Sequence, residues 1–198
     1  MILIIDNYDS FTYNIVQYAG EISDDIIVVK NNKIELNEIK ALNCSHIIIS
    51  PGPGSPSETG ICNNLIKEYY KKIPILGICM GHQVIGESFG CNVIKNNNVC
   101  HGKISKIYHN RKSKLFKSVP EQFQATRYHS LIIQRKTITS KLIINSWLDN
   151  NTVMGIEHIK YPLYGVQFHP ESIETKYGKT IIKNFLNSYN EIKWNYKT

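Results

Sequence analysis

A nine-residue stretch from Ile75 to Gln83 constrains the fold of this chain more than any other. Pro74 precedes it, an apolar run opens it, and Cys79 then stands between two glycines at the start of a helical pattern. This order predicts a strand, a sharp turn and a helix, with the cysteine at the carboxyl edge of a sheet. Because a helix N-terminus favours negative charge, the thiol is a candidate nucleophile. A buried, inert cysteine at a strand end is the alternative.

Size and composition indicate a single domain over residues 1–198. The net charge of +7 comes from scattered lysines, and the abundance of Ile, Asn, Lys and Tyr is typical of an AT-rich genome, such as that of a plastid or a reduced bacterium. No apolar run approaches the roughly 20 residues of a membrane helix, and no secretion signal is visible. We expect a protein of the plastid stroma or the bacterial cytoplasm that binds neither nucleic acid nor membrane and is not secreted.

The five cysteines argue against a disulfide framework and against a zinc site. Their number is odd, and no C-x-x-C motif occurs. We therefore expect no metal site and a reducing compartment. Cys62, Cys91 and Cys100 are interpreted as small, inert fillers.

Strand and helix patterns alternate along the first half of the chain. Apolar runs predict strands at residues 2–5, 26–29, 47–49 and from 75, and amphipathic segments predict helices at residues 11–20, 34–42, 61–70 and after Cys79. Asp9 or Ser10 is the expected cap of the first helix. The alternation predicts an α/β fold of flavodoxin type, with an open, mainly parallel sheet and helices on both faces.

Residues 91–163 show a different pattern, of short β-like runs separated by turns. Candidate strands lie at residues 93–94, 104–108, 131–134, 142–144 and 153–157, and they predict a small antiparallel or mixed region added to the same domain. A last strand at residues 165–168 and a helix over Thr180–Tyr189 end the pattern.

Two further segments are expected to meet Cys79 at the carboxyl edge of the sheet. The loop Ser50–Pro56 is rich in proline and glycine and can direct backbone N–H groups at a ligand. His169 and Glu171 follow the last strand and flank Pro170. A thiol nucleophile needs a base, and the base needs an acceptor that fixes its tautomer. Cys79, His169 and Glu171 are candidates for these three roles in that order.

Four motifs in one order make the chain resemble the class I glutamine amidotransferases. They are SPGPGSP at Ser50–Pro56, GICMGHQ at Gly77–Gln83, RYHSL at Arg127–Leu131 and GVQFHPES at Gly165–Ser172. Within the family, the chain looks most like the small subunits of anthranilate synthase and of aminodeoxychorismate synthase, through Ile4–Asn14 and His101–Lys103. The resemblance implies the open α/β fold, with a catalytic triad at its carboxyl edge.

The resemblance also implies an activity and the residues that perform it. Cys79 would attack the side-chain amide of L-glutamine, His169 would shuttle the proton, and Glu171 would orient His169. The backbone N–H groups of Gly52 and Met80 would form the oxyanion hole. The glutamine-binding residues would be Gly52, Pro53, Gly54, Gln83, Ser130 and Leu131. His82, three residues after Cys79, is interpreted as structural, and His101 and Lys103 as loop or interface residues.

By the same resemblance, the released ammonia would pass to chorismate on a separate large subunit, in a heterodimer or heterotetramer. This chain would need no cofactor, and any Mg²⁺ would belong to the partner. The product would be anthranilate, for tryptophan biosynthesis. One alternative is the para-aminobenzoate branch, towards folate, or service to both branches. Another, from a different class, is a flavodoxin-like regulatory module with a dead site.

Overall fold

The computed structural model describes residues 1–96 and 99–187. In these two ranges there are eleven strands: β1 (Ile2–Asp6), β2 (Ile26–Lys30), β3 (His46–Ile49), β4 (Ile75–Ile78), β5 (Val93–Lys95), β6 (Lys103–His109), β7 (Gln122–Arg127), β8 (Leu131–Ile133), β9 (Leu142–Trp147), β10 (Val153–His158) and β11 (Leu163–Val166). Across the described chain, nine of them form one sheet in the order β2-β1-β3-β4-β11-β10-β9-β6-β7, and β5 pairs with β8 in a separate ribbon.

Helices cover both faces of the parallel part of this sheet, as predicted. The described residues form α1 (Thr12–Gly20), α2 (Leu36–Leu42), α3 (Cys62–Tyr69), α4 (Met80–Ser88) and α5 (Gly178–Asn187). One apolar core joins α1 and α5 to alternate strand residues such as Ile4 and Ile48. The second core joins α2, α3 and α4 to the intervening residues, such as Ile5 and Ile49. The parallel strands are nearly continuous apolar runs because both faces of this part of the sheet are covered.

Five strands of the sheet run parallel, and the rest are antiparallel. β2, β1, β3, β4 and β11 are parallel neighbours. β10 then pairs antiparallel with β11, and β9, β6 and β7 continue in antiparallel pairs. The predicted antiparallel region is therefore mostly an extension of the main sheet, and only the β5–β8 ribbon is separate.

Several boundaries differ from the sequence predictions. β7 was missed, because only two apolar residues, Phe123 and Ala125, alternate with Gln122 and Gln124, and so short an alternation is a weak signal. β11 ends at Val166 rather than at residue 168. The helix predicted over Thr180–Tyr189 begins at Gly178, and Tyr189 lies outside the described residues.

The first helix is not capped by Asp9 or Ser10 as predicted. Phe11 occupies the cap position of α1 and makes no side-chain cap bond. The Asp9 carboxylate instead accepts a hydrogen bond from the Phe11 N–H at 2.8 Å. Asp9 therefore shapes the turn before the helix rather than the first helical turn.

The order of the parallel strands gathers four chain segments at one edge. The segments that follow β1, β3, β4 and β11 all leave from the carboxyl ends of neighbouring strands. Ligands of open α/β sheets bind at this edge. In residues 1–96 and 99–187, no helix is long and apolar enough to cross a membrane.

Candidate active site

Cys79 sits on a strained turn between β4 and α4. Its backbone has φ +51° and ψ −96°, a conformation that L-residues rarely adopt. The turn is tight enough that a Cβ on Gly77 would lie 2.4 Å from backbone atoms of Gly81. Strain of this kind costs about 1–3 kcal/mol and persists only where the surrounding structure enforces it. The arrangement is a nucleophile elbow, which places the cysteine at the N-terminus of α4.

His169 and Glu171 form a buried pair on the turn after β11. Nδ1 of His169 lies 2.6 Å from Oε1 of Glu171. The backbone N–H of His169 donates to the Thr126 carbonyl at 2.9 Å, and the Thr175 hydroxyl donates to the His169 carbonyl at 2.7 Å. Since a carboxylate accepts hydrogen bonds, the pair holds a proton on Nδ1 and leaves Nε2 for exchange with a neighbour.

Cys79 and His169 are brought close enough to interact electrostatically. Burial by itself lowers the pKa of His169, but the negative charges of Glu171 and Cys79 outweigh it and hold that pKa well above its usual value. Nε2 of His169 is buried, and no partner with regular hydrogen-bond geometry exists for it among the described residues. The charge of Glu171 and the closeness of Cys79 thus favour the charged form of the His169 imidazole.

Tyr128 touches both of these side chains. Its carbonyl oxygen lies 3.8 Å from the Cys79 sulfur. Its ring packs edge-on against the His169 imidazole with 5.1 Å between centroids, and Phe11 lies 5.2 Å away on the Tyr128 ring. These rings limit the motion of the imidazole and exclude water from one side of it.

A cavity of about 180 Å³ opens beside Cys79. The residues that line it are Gly52, Pro53, Gly54, Cys79, Met80, Gln83, Tyr128, His129, Ser130 and Leu131. The structure therefore brings every predicted oxyanion and glutamine-binding residue to one concavity. A larger cleft of about 300 Å³ lies near Lys103 and Arg127, but no member of the predicted triad lines it.

The proline and glycine loop reaches the cavity through a buried amide network. Asn7 donates from its backbone N–H to the Ser50 hydroxyl and from Nδ2 to the Ser50 carbonyl, both at 2.9 Å. Asn31 donates in turn to Oδ1 of Asn7 at 2.9 Å. A Cβ on Gly52 would lie 2.5 Å from the Cβ of Asn7, so only glycine allows this approach. In the described chain, neither the Gly52 nor the Met80 N–H has a hydrogen-bond acceptor.

A second network lies under the elbow. Nε2 of Gln83 donates to the Leu131 carbonyl and to Oε1 of Gln167, each at 3.1 Å. Nε2 of Gln167 then lies 3.6 Å from the Cys79 sulfur. Nδ1 of His129 lies 3.0 Å from the same Leu131 carbonyl, so this carbonyl already has two donors.

Two other histidines near the site are buried in the neutral form. Burial lowers the pKa of His82 to about 3 and that of His129 to about 4. His82 is fully buried, and its ring packs so closely on Gly165 that a Cβ there would lie 2.8 Å from its Nδ1. Neither ring is placed to take a proton from Cys79 in the way His169 is. His101 packs edge-on against Tyr128 at 5.7 Å, in the loop before β6.

Sequence reasoning assigned no role to Tyr128, Gln167 or Phe11, although all three stand inside quoted motifs. Gln167 is two residues before His169, in the short segment that follows β11. That spacing was the available signal for Gln167. Tyr128 and Phe11 reach the site from distant segments, and nothing local in the sequence marks them.

The structure also shows the state of the five cysteines and the placement of the side chains that could bind a metal ion. All five cysteines are free and buried. Burial raises the pKa of Cys62 to about 12, which makes that thiol inert. Over the residues that the structure describes, no group of three or more His, Cys, Asp or Glu side chains is placed to hold a metal ion.

Comparison with known proteins gives consistent matches over nearly the whole chain. The family model of class I glutamine amidotransferases matches residues 3–188. Anthranilate synthase component 2 of Pyropia yezoensis is 52% identical, over 94% of this chain and 98% of that protein. Aminodeoxychorismate/anthranilate synthase component 2 of Bacillus subtilis (strain 168) is 46% identical, over 96% of this chain and 97% of that protein.

A solved structure is similar in fold to this chain over nearly its whole length. A putative GMP synthase subunit from Thermoplasma acidophilum superposes with a TM-score of 0.84 at 25% identity, over 96% of this chain and 95% of that one. The architecture and the family match thus point the same way. The chain belongs to the class I glutamine amidotransferase family.

Proposed function

We propose that the chain is the glutamine-hydrolysing subunit of an anthranilate synthase, with one catalytic domain over residues 1–198. The observation that carries the proposal is the buried His169–Glu171 pair at 2.6 Å, held close to Cys79 beside a cavity. The names and identities of the relatives support the choice of subunit.

The chemistry follows from the positions of the triad. The Cys79 thiolate attacks the side-chain amide carbon of glutamine, and the carbonyl π electrons move to oxygen. His169 donates the Nε2 proton to the amide nitrogen, the C–N bond breaks, and ammonia leaves a glutamyl thioester. His169 then takes a proton from water, the hydroxide adds to the thioester, and glutamate and the thiolate are regenerated. Glu171 stabilises the imidazolium in both halves of the cycle.

The tetrahedral oxyanion is placed against the backbone N–H groups of Gly52 and Met80. Both residues line the cavity beside Cys79. Met80 is the first residue of α4, where the helix dipole adds to the effect. A preorganised donor of this kind contributes about 3–4 kcal/mol to the transition state.

The remaining cavity residues are proposed to bind the rest of the glutamine. Pro53, Gly54, Ser130 and Leu131 line the walls, and Gln83 lies on α4 below Cys79. Both N–H groups of the Gln83 amide are already used. Its Oε1 therefore remains as the acceptor for an N–H of the substrate. The Leu131 carbonyl has two donors, so its N–H is the better ligand for a substrate carboxylate.

The ammonia acceptor is proposed to be chorismate, bound on a separate large subunit in a heterodimer or heterotetramer. The name "component 2" of the relatives implies another component. The loop after β1 and the start of α1 support docking near the site. Tyr8 in the loop and Tyr13 in α1 are 51% and 68% exposed, while Phe11, between them, packs on Tyr128. Ammonia released next to this loop has a short path to a partner seated on it.

Further parts of the assignment rest on resemblance and composition. This chain is proposed to use no cofactor, and the Mg²⁺ of the synthase reaction is assigned to the large subunit. The proposed location is the plastid stroma or the bacterial cytoplasm, on the grounds of the AT-rich composition.

A second candidate is service to the para-aminobenzoate branch, alone or as well. The Bacillus subtilis relative is named for both aminodeoxychorismate and anthranilate synthase. Purification of the native partner and identification of its aminated product separate the two branches.

The test of the proposed function is Cys79→Ser, assayed with the large subunit isolated from the native source. Glutamine-dependent anthranilate synthesis should fall at least about 10³-fold, because a serine hydroxyl is not ionised at this site. Synthesis from ammonium salt should be unchanged. Cys44→Ser, which changes a buried thiol just before β3 and away from the carboxyl edge of the sheet, is the matched control and should keep both activities. Equal loss of both activities in Cys79→Ser would contradict the division of labour.

A further inference from the structure

The amide of Gln167 lies in a position to control the sulfur of Cys79. Gln167 directly follows β11 and is fully buried, and its backbone N–H donates to the Met154 carbonyl at 2.9 Å. Its Nε2 lies 3.6 Å from the Cys79 sulfur, within the range of a hydrogen bond to sulfur. A buried amide is costly unless its groups are paired, so this contact is a built feature of the site.

The direction of this hydrogen bond follows from a backbone carbonyl. The Leu131 carbonyl can only accept, so the Gln83 amide must turn its nitrogen toward it. The same nitrogen lies 3.1 Å from the Gln167 amide, which must present its oxygen there. Nε2 of Gln167 is then left for Cys79, and the sulfur is the acceptor. Flipping either amide would place two donors or two acceptors in contact.

A donor at this position discriminates between the two forms of the thiol. The Tyr128 carbonyl lies 3.8 Å from the same sulfur and can accept from a thiol but repels a thiolate. Nε2 of Gln167 has the opposite preference, because hydrogen bonds to a charged acceptor are the stronger ones. The Leu131 carbonyl therefore fixes the orientation of the Gln83 amide, and that amide fixes the orientation of Gln167. The N–H group of Gln167 is then directed at the sulfur.

We propose that Gln167 is a positioning residue that holds the Cys79 thiolate by a hydrogen bond and keeps its sulfur directed at the cavity. The inference rests on the proposed function, in which this thiolate is the nucleophile. Glutamine suits the role because one end must accept from Gln83 while the other donates to sulfur. Glutamate offers only the acceptor, and methionine, of similar length, offers neither.

The test is the pH profile of alkylation of Cys79 by iodoacetamide in the full-length chain, read by mass spectrometry of its peptide. In Gln167→Met the half-maximal pH should rise by about one unit, a roughly tenfold slower reaction at lower pH, with the same plateau at high pH. Gln167→Glu should shift the profile further, because its carboxylate repels the thiolate while still accepting from Gln83. Asn145→Leu removes an equally buried amide on β9 and should leave the profile unchanged.

The possible results test the role of Gln167 separately from the proposed function. Profiles of Gln167→Met and Gln167→Glu that overlay the wild type would overturn the inference while leaving the proposed function intact. A wild-type Cys79 that resists alkylation at every pH would instead count against the proposed function. If the variants do not fold, ¹⁵N NMR of the Gln167 side chain decides on wild-type protein. Its Nε2 resonance should titrate with Cys79 and should lose that titration in Cys79→Ser, and an Nε2 resonance independent of pH would refute the contact.

Discussion

The segments that carry Cys79 and His169 are held in place by different physical means. The elbow after β4 depends on backbone strain and close packing, with Cys79 at φ +51° and Gly77 pressed against Gly81. The turn after β11 depends on hydrogen bonds, from His169 to Thr126 and from Thr175 to His169. A steric constraint fails abruptly when an atom is added, whereas a set of hydrogen bonds can lose one member and survive.

This difference has a chemical reason. In the proposed mechanism, Cys79 is the nucleophile and must meet a carbon atom at a defined distance, so its backbone is fixed by contacts that do not stretch. His169 is the proposed base and must exchange protons with two partners, so its ring needs a defined tautomer more than a fixed backbone. We therefore expect the elbow to be disrupted by substitutions that enlarge a side chain, and the turn after β11 to be disrupted by substitutions that change its charge.

Glu171→Gln should have the largest effect and should act on the turn through charge alone. The amide keeps the size of the side chain but no longer fixes the proton on Nδ1 of His169 or stabilises the imidazolium. Glutamine-dependent turnover with the partner present should fall about 10³-fold. The midpoint of urea unfolding at pH 7 should fall as well, because the buried His169 imidazolium loses the charge that stabilises it. A loss below about tenfold in steady-state kinetics would show that the charge is dispensable.

Gly77→Ala comes next and should act on the elbow through size. The added Cβ would meet backbone atoms of Gly81 at 2.4 Å, which no side-chain rotation relieves. The free energy of unfolding should drop by about 3 kcal/mol or more, measured by urea denaturation. Gly20→Ala is the control, because a Cβ there meets nothing within 4 Å. That variant should be neutral or more stable by up to about 1 kcal/mol.

The third prediction compares two histidines with opposite pKa shifts. His82, beneath the elbow, has a pKa lowered to about 3 by burial. The unfolded chain binds a proton near pH 6.5 and the folded chain does not, so stability is lost as the pH falls below 6.5. The loss due to His82 should reach about 2 kcal/mol at pH 5. His82→Leu should lack this part of the loss when urea unfolding is compared at pH 7.5 and 5.

His169 should behave in the opposite way. Its pKa in the folded chain is raised by Glu171 and Cys79, so its stabilising effect is complete below pH 6.5 and fades as the pH rises through the raised value. His169→Leu should therefore cost more stability at pH 6 than at pH 9. Equal costs at both pH values would mean that the imidazole is not charged in the folded state.

Thr175→Val should have the smallest effect and tests how well the turn tolerates a lost bond. The hydroxyl bonds the His169 carbonyl at 2.7 Å and the Thr126 N–H at 3.1 Å. Its removal should lower the free energy of unfolding by about 1–2 kcal/mol. Turnover should fall less than about tenfold, because His169 keeps its bond to Thr126. If the free energy of unfolding fell as much as in Gly77→Ala, the proposed difference between the elbow and the turn would be contradicted.

The sequence predicts the elements and motifs that depend on local pattern. The strand–turn–helix around Cys79, the parallel sheet and the meeting of the Ser50–Pro56 loop, the elbow and the His169 turn at one edge all follow from apolar runs and from the positions of glycine and proline. β7 was not predicted because its alternation of polar and apolar residues extends only over residues 122–125, which is short for a strand signal. The cap of α1 was predicted wrongly because the Asp9 carboxylate accepts from the N–H of Phe11, which precedes the first residue of the helix.

The contacts of Tyr128 and Gln167 show where sequence reasoning ends. Tyr128 meets His169 only because β7 and β11 approach through the Thr126 and His169 backbones. Gln167 meets Cys79 only because β11 lies beside β4. The two contacts depend on backbone pairings between residues 43 and 88 positions apart, which no short window of sequence displays. The proposed roles of the triad and of the cavity residues remain predictions for the experiments above.

The position of β11 has a consequence for how the chain is made. Among the described residues, β11 is the last strand to be synthesised, yet it lies between β4 and β10 in the sheet. Until residues 163–166 leave the ribosome, β4 has an open side and the two halves of the sheet cannot join. The Cys79 thiol is thus present on the nascent polypeptide long before His169 is added, so under the proposed mechanism an unfinished chain would not hydrolyse glutamine.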